Sequence, residues 1–119
     1  MTDRVYIYQT SANQKIIYTK KTQSDTAHLY GIMNIDAVLS AARNLSDRAY
    51  KLYIRMMLHQ DGHTYALSPV EINRSIGMSD KRYRDAIKEL IDKGYLVQST
   101  EHKSLYIIYE YPEKDNQDS

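Results

Sequence analysis

From Asn34 to Leu45 the apolar residues Ile35, Val38, Leu39, Ala42 and Leu45 recur every third or fourth position, the spacing of one helical face, and Asn34 stands where a capping side chain is wanted. Ser46 marks a second start. Behind it Ala49, Leu52, Tyr53, Met56 and Met57 form a face that Tyr50, Ile54 and Leu58 widen almost all the way round, so this helix is expected at the centre of the fold. Asp61-Gly62 ends it, and Thr64 to Leu67 is a short extended piece. Ser68-Pro69-Val70-Glu71 then combines a Ser cap, a Pro at the first helical position and a Glu placed to close a capping box. Gly77 stops that helix early, where a left-handed C-terminal residue belongs. Ser79 caps the next, whose stripe of Tyr83, Ile87, Leu90 and Ile91 runs on to Lys93 and Gly94.

At both ends of the chain the period changes to that of strands. Tyr95 to Gln98 and Leu105 to Tyr111 are rich in β-formers and flank a polar turn, Ser99 to Ser104. Val5 to Gln9 and Lys15 to Thr19 have the same character around the turn-prone Thr10 to Asn13. The expected organisation is a β-hairpin over residues 1–21, a linker over 22–33, one folded domain over 34–111 and an acidic, frayed tail over 112–119. With 119 residues there is room for one core and not two.

Composition narrows the class. Apolar residues make up 42% and charged residues 26%, with 4 Gly and 2 Pro, as in an ordinary globular domain. The absence of cysteine removes disulfides, thiolate metal sites and a cysteine nucleophile, and no apolar run reaches the roughly 18 residues of a membrane span, so a cytoplasmic location is expected. There are 12 Tyr but no Phe or Trp, so every ring carries a hydroxyl, and the tyrosines are expected to sit half in and half out of the core. The net charge of +1 conceals a strong segregation: Arg4, Lys15, Lys20 and Lys21 face no acid in their stretch, five bases lie between Arg74 and Lys88 against two acids, and the last ten residues hold four acids against Lys114.

Helix, helix, short extended piece, capped short helix, tight turn, basic helix and hairpin is the order of a winged helix-turn-helix. Residues Ser68 to Gly94 (SPVEINRSIGMSDKRYRDAIKELIDKG) resemble the helix-turn-helix of that superfamily, with the turn Ile76-Gly77-Met78-Ser79 and the run Glu89 to Leu96 leading into the wing. Leu45 to Val97 further resembles the winged-helix domains of small plasmid and phage proteins of Gram-positive bacteria that act in replication or transcription. The resemblance implies an α+β fold of three to four helices plus a C-terminal β-wing, here with an added N-terminal β-hairpin, and sequence-specific binding of double-stranded DNA as a regulator or a replication or partition factor.

A helix that enters the major groove needs an apolar face for its own core and a cationic, polar face for the duplex. With Ile87 at the centre of the buried stripe, Lys81, Arg84, Asp85 and Lys88 fall on one exposed side, whereas Arg82 and Glu89 fall on the other. The first group is expected on DNA, with Arg82 beside it. Ser79 is a candidate phosphate ligand as well as a cap. Asn73 and Arg74 in the preceding helix, with His102 and Lys103 at the hairpin tip, are candidates for backbone or minor-groove contact. Each of these bases has a plainer reading as part of a solvated helix face.

The N-terminal hairpin with Tyr6, Tyr8 and Tyr18 is expected to pack on the helical core or extend the wing sheet, or else to form a homodimer interface, with DNA backbone as an alternative partner for its basic side chains. A winged helix that binds a protein partner instead of DNA is the alternative, supported by the low net charge, the acidic tail and the tyrosines. No metal, no cofactor and no enzyme activity is expected. His59 and His63 have helical metal-pair spacing but bracket the helix-breaking Asp61-Gly62, and the remaining histidines are scattered. The methionines are expected as core filler.

Overall fold

The computed structural model describes residues 15–20, 33–59 and 64–112. Four helices and two strands follow one another: α1 (Ile35–Asn44), α2 (Asp47–Met57), α3 (Pro69–Ile76), α4 (Asp80–Asp92), β1 (Leu96–Gln98) and β2 (Tyr106–Ile108). Each helix begins where its cap predicts. The side-chain oxygens of Asn34, Ser46, Ser68 and Ser79 accept the backbone N–H of Ala37, Ala49, Glu71 and Arg82, satisfying donors that the first turn leaves without intrahelical partners.

The capping box at α3 closes only on one side, because the Glu71 carboxylate goes to Arg55 (2.8 Å). Arg55, in the last turn of α2, also donates to Ser75 Oγ (3.2 Å) and meets His59 Nε2 (3.0 Å). One guanidinium thereby ties α2 to both ends of α3. The His59 ring stacks on Tyr65 with centroids 3.6 Å apart, so this histidine is a structural partner. His63 lies outside the described residues.

The core is Leu45, Ala49, Leu52, Tyr53, Met56, Ile72, Met78, Ala86, Leu90, Tyr95 and Leu96, with Ala37 and Ala41 beneath α1. α2 and α4 form its most extensive pair. Ala49 and Ala86, both fully buried on those helices, keep the side chains short where the two approach. Met56 and Met78 fill the core as expected. Two sequence expectations are corrected here. Tyr53 and Tyr95 are buried outright, edge to face with centroids 5.6 Å apart, and burial followed by the nearby Glu110 carboxylate pushes the Tyr53 hydroxyl well above its ordinary value. The inward line of α1 is Ala37, Ala41 and Leu45, leaving Ile35 and Leu39 exposed. Both lines of apolar residues converge on Leu45, so periodicity alone does not choose between them.

Tyr53 donates its hydroxyl proton to the Glu110 carbonyl (2.9 Å), but the Tyr95 hydroxyl is buried with no partner among the described residues. A buried hydroxyl without a hydrogen bond costs about 1 to 3 kcal/mol. Tyr95→Phe is therefore expected to raise the urea midpoint with the m-value unchanged, by about 1 kcal/mol once the small packing adjustment is included.

β1 and β2 pair antiparallel, with Leu96 opposite Ile108, Val97 opposite Ile107 and Gln98 opposite Tyr106. Backbone bonds from Ser99 to Leu105 and from Tyr109 to Tyr95, both 2.8 Å, extend the ladder at each end. Thr64 to Leu67 forms no strand pairing in the structure. Of the N-terminal hairpin, the first strand with Tyr6 and Tyr8 lies outside the described residues, and residues 15–20 are exposed. Residues 21–32 and the tail from 113 onward also lie outside them.

Candidate nucleic-acid interface

α3 and α4 are joined by Gly77, Met78 and Ser79. Gly77 takes the left-handed conformation (φ 67°, ψ 27°) and donates its N–H to the Asn73 carbonyl (2.9 Å), a geometry in which a side chain would be strained. Met78 turns inward as a buried anchor. The Asn73 amide donates to the Met78 carbonyl (3.2 Å), so its side chain shapes the turn. Ser79 accepts the Arg82 N–H as the α4 cap.

This turn sets the rotation of α4. Its buried line is Ala86 and Leu90, with Tyr83 and Ile87 half-buried on one flank and Ile91 turned out. The stripe is thus centred closer to Ala86 than to Ile87, because the small alanine faces α2. The outward side still carries the residues expected there: the side chains of Lys81, Arg84 and Lys88 are 81%, 70% and 77% exposed. Arg82 is exposed on the other flank, and Arg74 is exposed in the last turn of α3.

The cations on this side are all ion-paired. Lys81 meets Asp85 (3.1 Å), Arg84 meets Asp80 (3.7 Å) and Lys88 meets Asp92 (2.9 Å), every pair one helical turn apart. α4 holds four bases and four acids, so it presents an ordered row of ion pairs with no net charge. Such exposed pairs contribute little to stability, since water and salt screen them. They order the side chains but do not commit them. The Lys81 and Lys88 pairs have the base N-terminal to the acid, the weaker orientation along a helix, and are the easier to open.

Asp85 collects the most charge. The Lys81 ammonium hydrogen-bonded to it outweighs a slight desolvation and, with the guanidiniums of Arg48 and Arg84, holds its carboxyl below the ordinary aspartate range. Arg48 reaches Asp85 (3.9 Å) from the first turn of α2 and so joins the edge of this surface. Sequence reasoning missed Arg48, since nothing local signals a contact between helices so far apart in the chain.

On the opposite flank Glu89 accepts both the backbone N–H (2.8 Å) and the hydroxyl (2.6 Å) of Ser46, while Lys93 donates to Glu89 (3.2 Å) and to the Asn44 carbonyl (2.6 Å). Glu89 thus completes the capping box of α2 from a different helix. Burial alone would raise its carboxyl, but the Ser46 hydroxyl and N–H and the Lys93 ammonium hold it below its ordinary value.

Beyond α4 the hairpin turns at residues 99–105. Gln98 donates through its side-chain amide to the Lys103 carbonyl (2.6 Å), and Leu105 donates its N–H to the His102 carbonyl (3.1 Å). The side chains of His102 and Lys103 are exposed at the tip. Among the described residues no cluster of three His, Cys, Asp or Glu is arranged to hold a metal ion, and no helix is long and apolar enough to cross a membrane. No curated protein and no solved structure matches the chain. Residues 43–96, from the end of α1 to the first residue of β1, match the family model of a helix-turn-helix domain.

Proposed function

We propose that the chain binds double-stranded DNA sequence-specifically as a winged helix-turn-helix, with α4 in the major groove and the β1–β2 hairpin as the wing. The observation that carries this reading is the joint exposure of Lys81, Arg84 and Lys88 along the outward side of α4, the last helix of the matched domain. Their carboxylate partners do not oppose it. A phosphate replaces an exposed carboxylate at little cost, and Asp85, freed from Lys81, is an acceptor of the kind that pairs with the cytosine amino group. Arg48 and Arg74 supply backbone contacts at the edges, and His102 with Lys103 reaches the flanking groove or phosphate. The role is that of a plasmid- or phage-type transcriptional regulator or a replication or partition accessory factor.

A protein-binding winged helix is the second reading. It is favoured by the electroneutral α4 and by Leu105, Tyr106 and Ile107, all exposed on the hairpin. Fluorescence anisotropy separates the two, with the full chain titrated onto the duplex upstream of its own reading frame and onto a scrambled duplex at several salt concentrations. Specific binding is expected to be at least about a thousandfold tighter than non-specific binding. Equal affinities for the two duplexes would remove sequence-specific recognition, and no binding to either at low salt would leave the protein-binding reading.

A further inference from the structure

α1 is an amphipathic helix with its larger apolar side chains turned the wrong way for its own core. Ala37 and Ala41 are fully buried, whereas Ile35 is 75% exposed and Leu39 53% exposed. At about 100° per residue, Ile35, Leu39, Ala42 and the half-buried Val38 lie on one outward stripe. Two charges line a single edge of that stripe. Asp36 stands in the first turn and Arg43 in the last, seven residues on, and both are exposed with no ion-pair partner among the described residues.

Opposite charges at opposite ends of one edge are self-complementary under a two-fold axis. When two copies of α1 lie antiparallel with their stripes together and the axis passes between Leu39 and Ser40, Asp36 of one copy meets Arg43 of the partner subunit. The symmetry then forms the same pair a second time. A parallel two-fold would carry the charged edge of the second copy to the far side of the contact, and neither ion pair would form. We infer that the outward face of α1 is a homodimer interface in which Ile35, Leu39 and Ala42 interleave with the same residues of a second copy between two Asp36–Arg43 ion pairs.

The interface is small. A ten-residue helix cannot bury the roughly 800 Å² a side of a standard stable interface. The dimer is therefore weak and held by mass action, with a dissociation constant on the order of 10 µM or above. Pairing through α1 leaves the outward side of α4 uncovered, and it does not depend on what α4 binds.

Sedimentation velocity of the full chain without DNA tests this directly, over concentrations that span the dissociation constant. The sedimentation coefficient is expected to rise with concentration, and Leu39→Glu, at a half-exposed position that the fold tolerates, weakens association about tenfold or more. Asp36→Arg and Arg43→Asp each weaken it, and the doubly swapped chain recovers affinity to within about threefold of the original. Circular dichroism melting of each variant confirms that the fold is retained. A chain that stays monomeric throughout would overturn the inference, since the stripe is then left open or covered by the chain itself. Dimers indifferent to Leu39→Glu and to the charge swaps would also overturn it, by placing the contact elsewhere, as at Tyr18. Either result leaves DNA binding by α4 untouched.

Discussion

Replacing Lys81, Arg84 and Lys88 together by alanine is expected to weaken binding of the specific duplex about a hundredfold or more, at about 1 kcal/mol or more for each lost contact. The fold survives the change. All three side chains are exposed, and alanine is at least as good a helix former as the residues it replaces. The loss has two parts: three cations leave the surface, and Asp80, Asp85 and Asp92 stay behind, with only Arg48 still near Asp85, turning an electroneutral helix into one that repels phosphate. Each cation that leaves a carboxylate for a phosphate exchanges one anion for another. The salt slope of the unaltered protein should therefore fall short of the roughly 0.9 per contact expected of free lysines on B-DNA. Asp92→Asn, which frees Lys88 without removing it, moves affinity and slope in the opposite direction. Anisotropy titrations in 50 to 200 mM salt, about the range in which such slopes are resolved, measure both. Unchanged affinity in the triple variant would place recognition away from α4.

Glu89→Ala is expected to lower the unfolding free energy by about 2 to 3 kcal/mol, because hydrogen bonds to a charged group contribute about 1.5 to 3 kcal/mol and their loss leaves the Ser46 N–H without its acceptor. Glu89→Gln keeps the shape but not the charge and falls between the two. The same contact makes stability depend on pH. In the folded chain the Glu89 carboxyl titrates below its ordinary value of 4.5, so the native state binds its proton less readily than the unfolded chain. Its contribution is complete above the unfolded value and fades as the pH falls through the folded one. Urea midpoints measured from neutral pH down into the acid range check this, and the acid-side slope should be shallower in Glu89→Ala. An equal slope in both chains would mean that other carboxylates control the acid limit.

The helices and their ends were legible in the sequence, since caps and stop residues act locally: Asn34, Ser46, Ser68, Ser79 and Gly77 all do what their positions suggest. The hairpin after α4 was legible for the same reason. What the sequence hid was non-local. Which of two apolar lines of α1 turns inward is decided by how α1 meets α2. The bond from Asn73 to the Met78 carbonyl exists only once the turn has formed. The Glu71 carboxylate left its own cap for Arg55, and Arg48 joined the α4 surface from another helix. The carboxylates opposite Lys81, Arg84 and Lys88 are a different matter. Their four-residue spacing was written in the chain, and weighing acids with the same helical ruler as bases would have found them.

The two ties at the C-terminal end of α4 have a mechanical consequence. Ser46 is bound to Glu89 and Asn44 to Lys93, so the corner between α1 and α2 is bolted to the helix proposed to enter the groove. A torque applied to α1 is transmitted to α4 and is not dissipated in the corner. The distance between the two reading helices of an α1-paired dimer would then be a fixed length, matched to one spacing of half-sites, and loosening either bolt would blur that spacing before it weakened the grip on a single site.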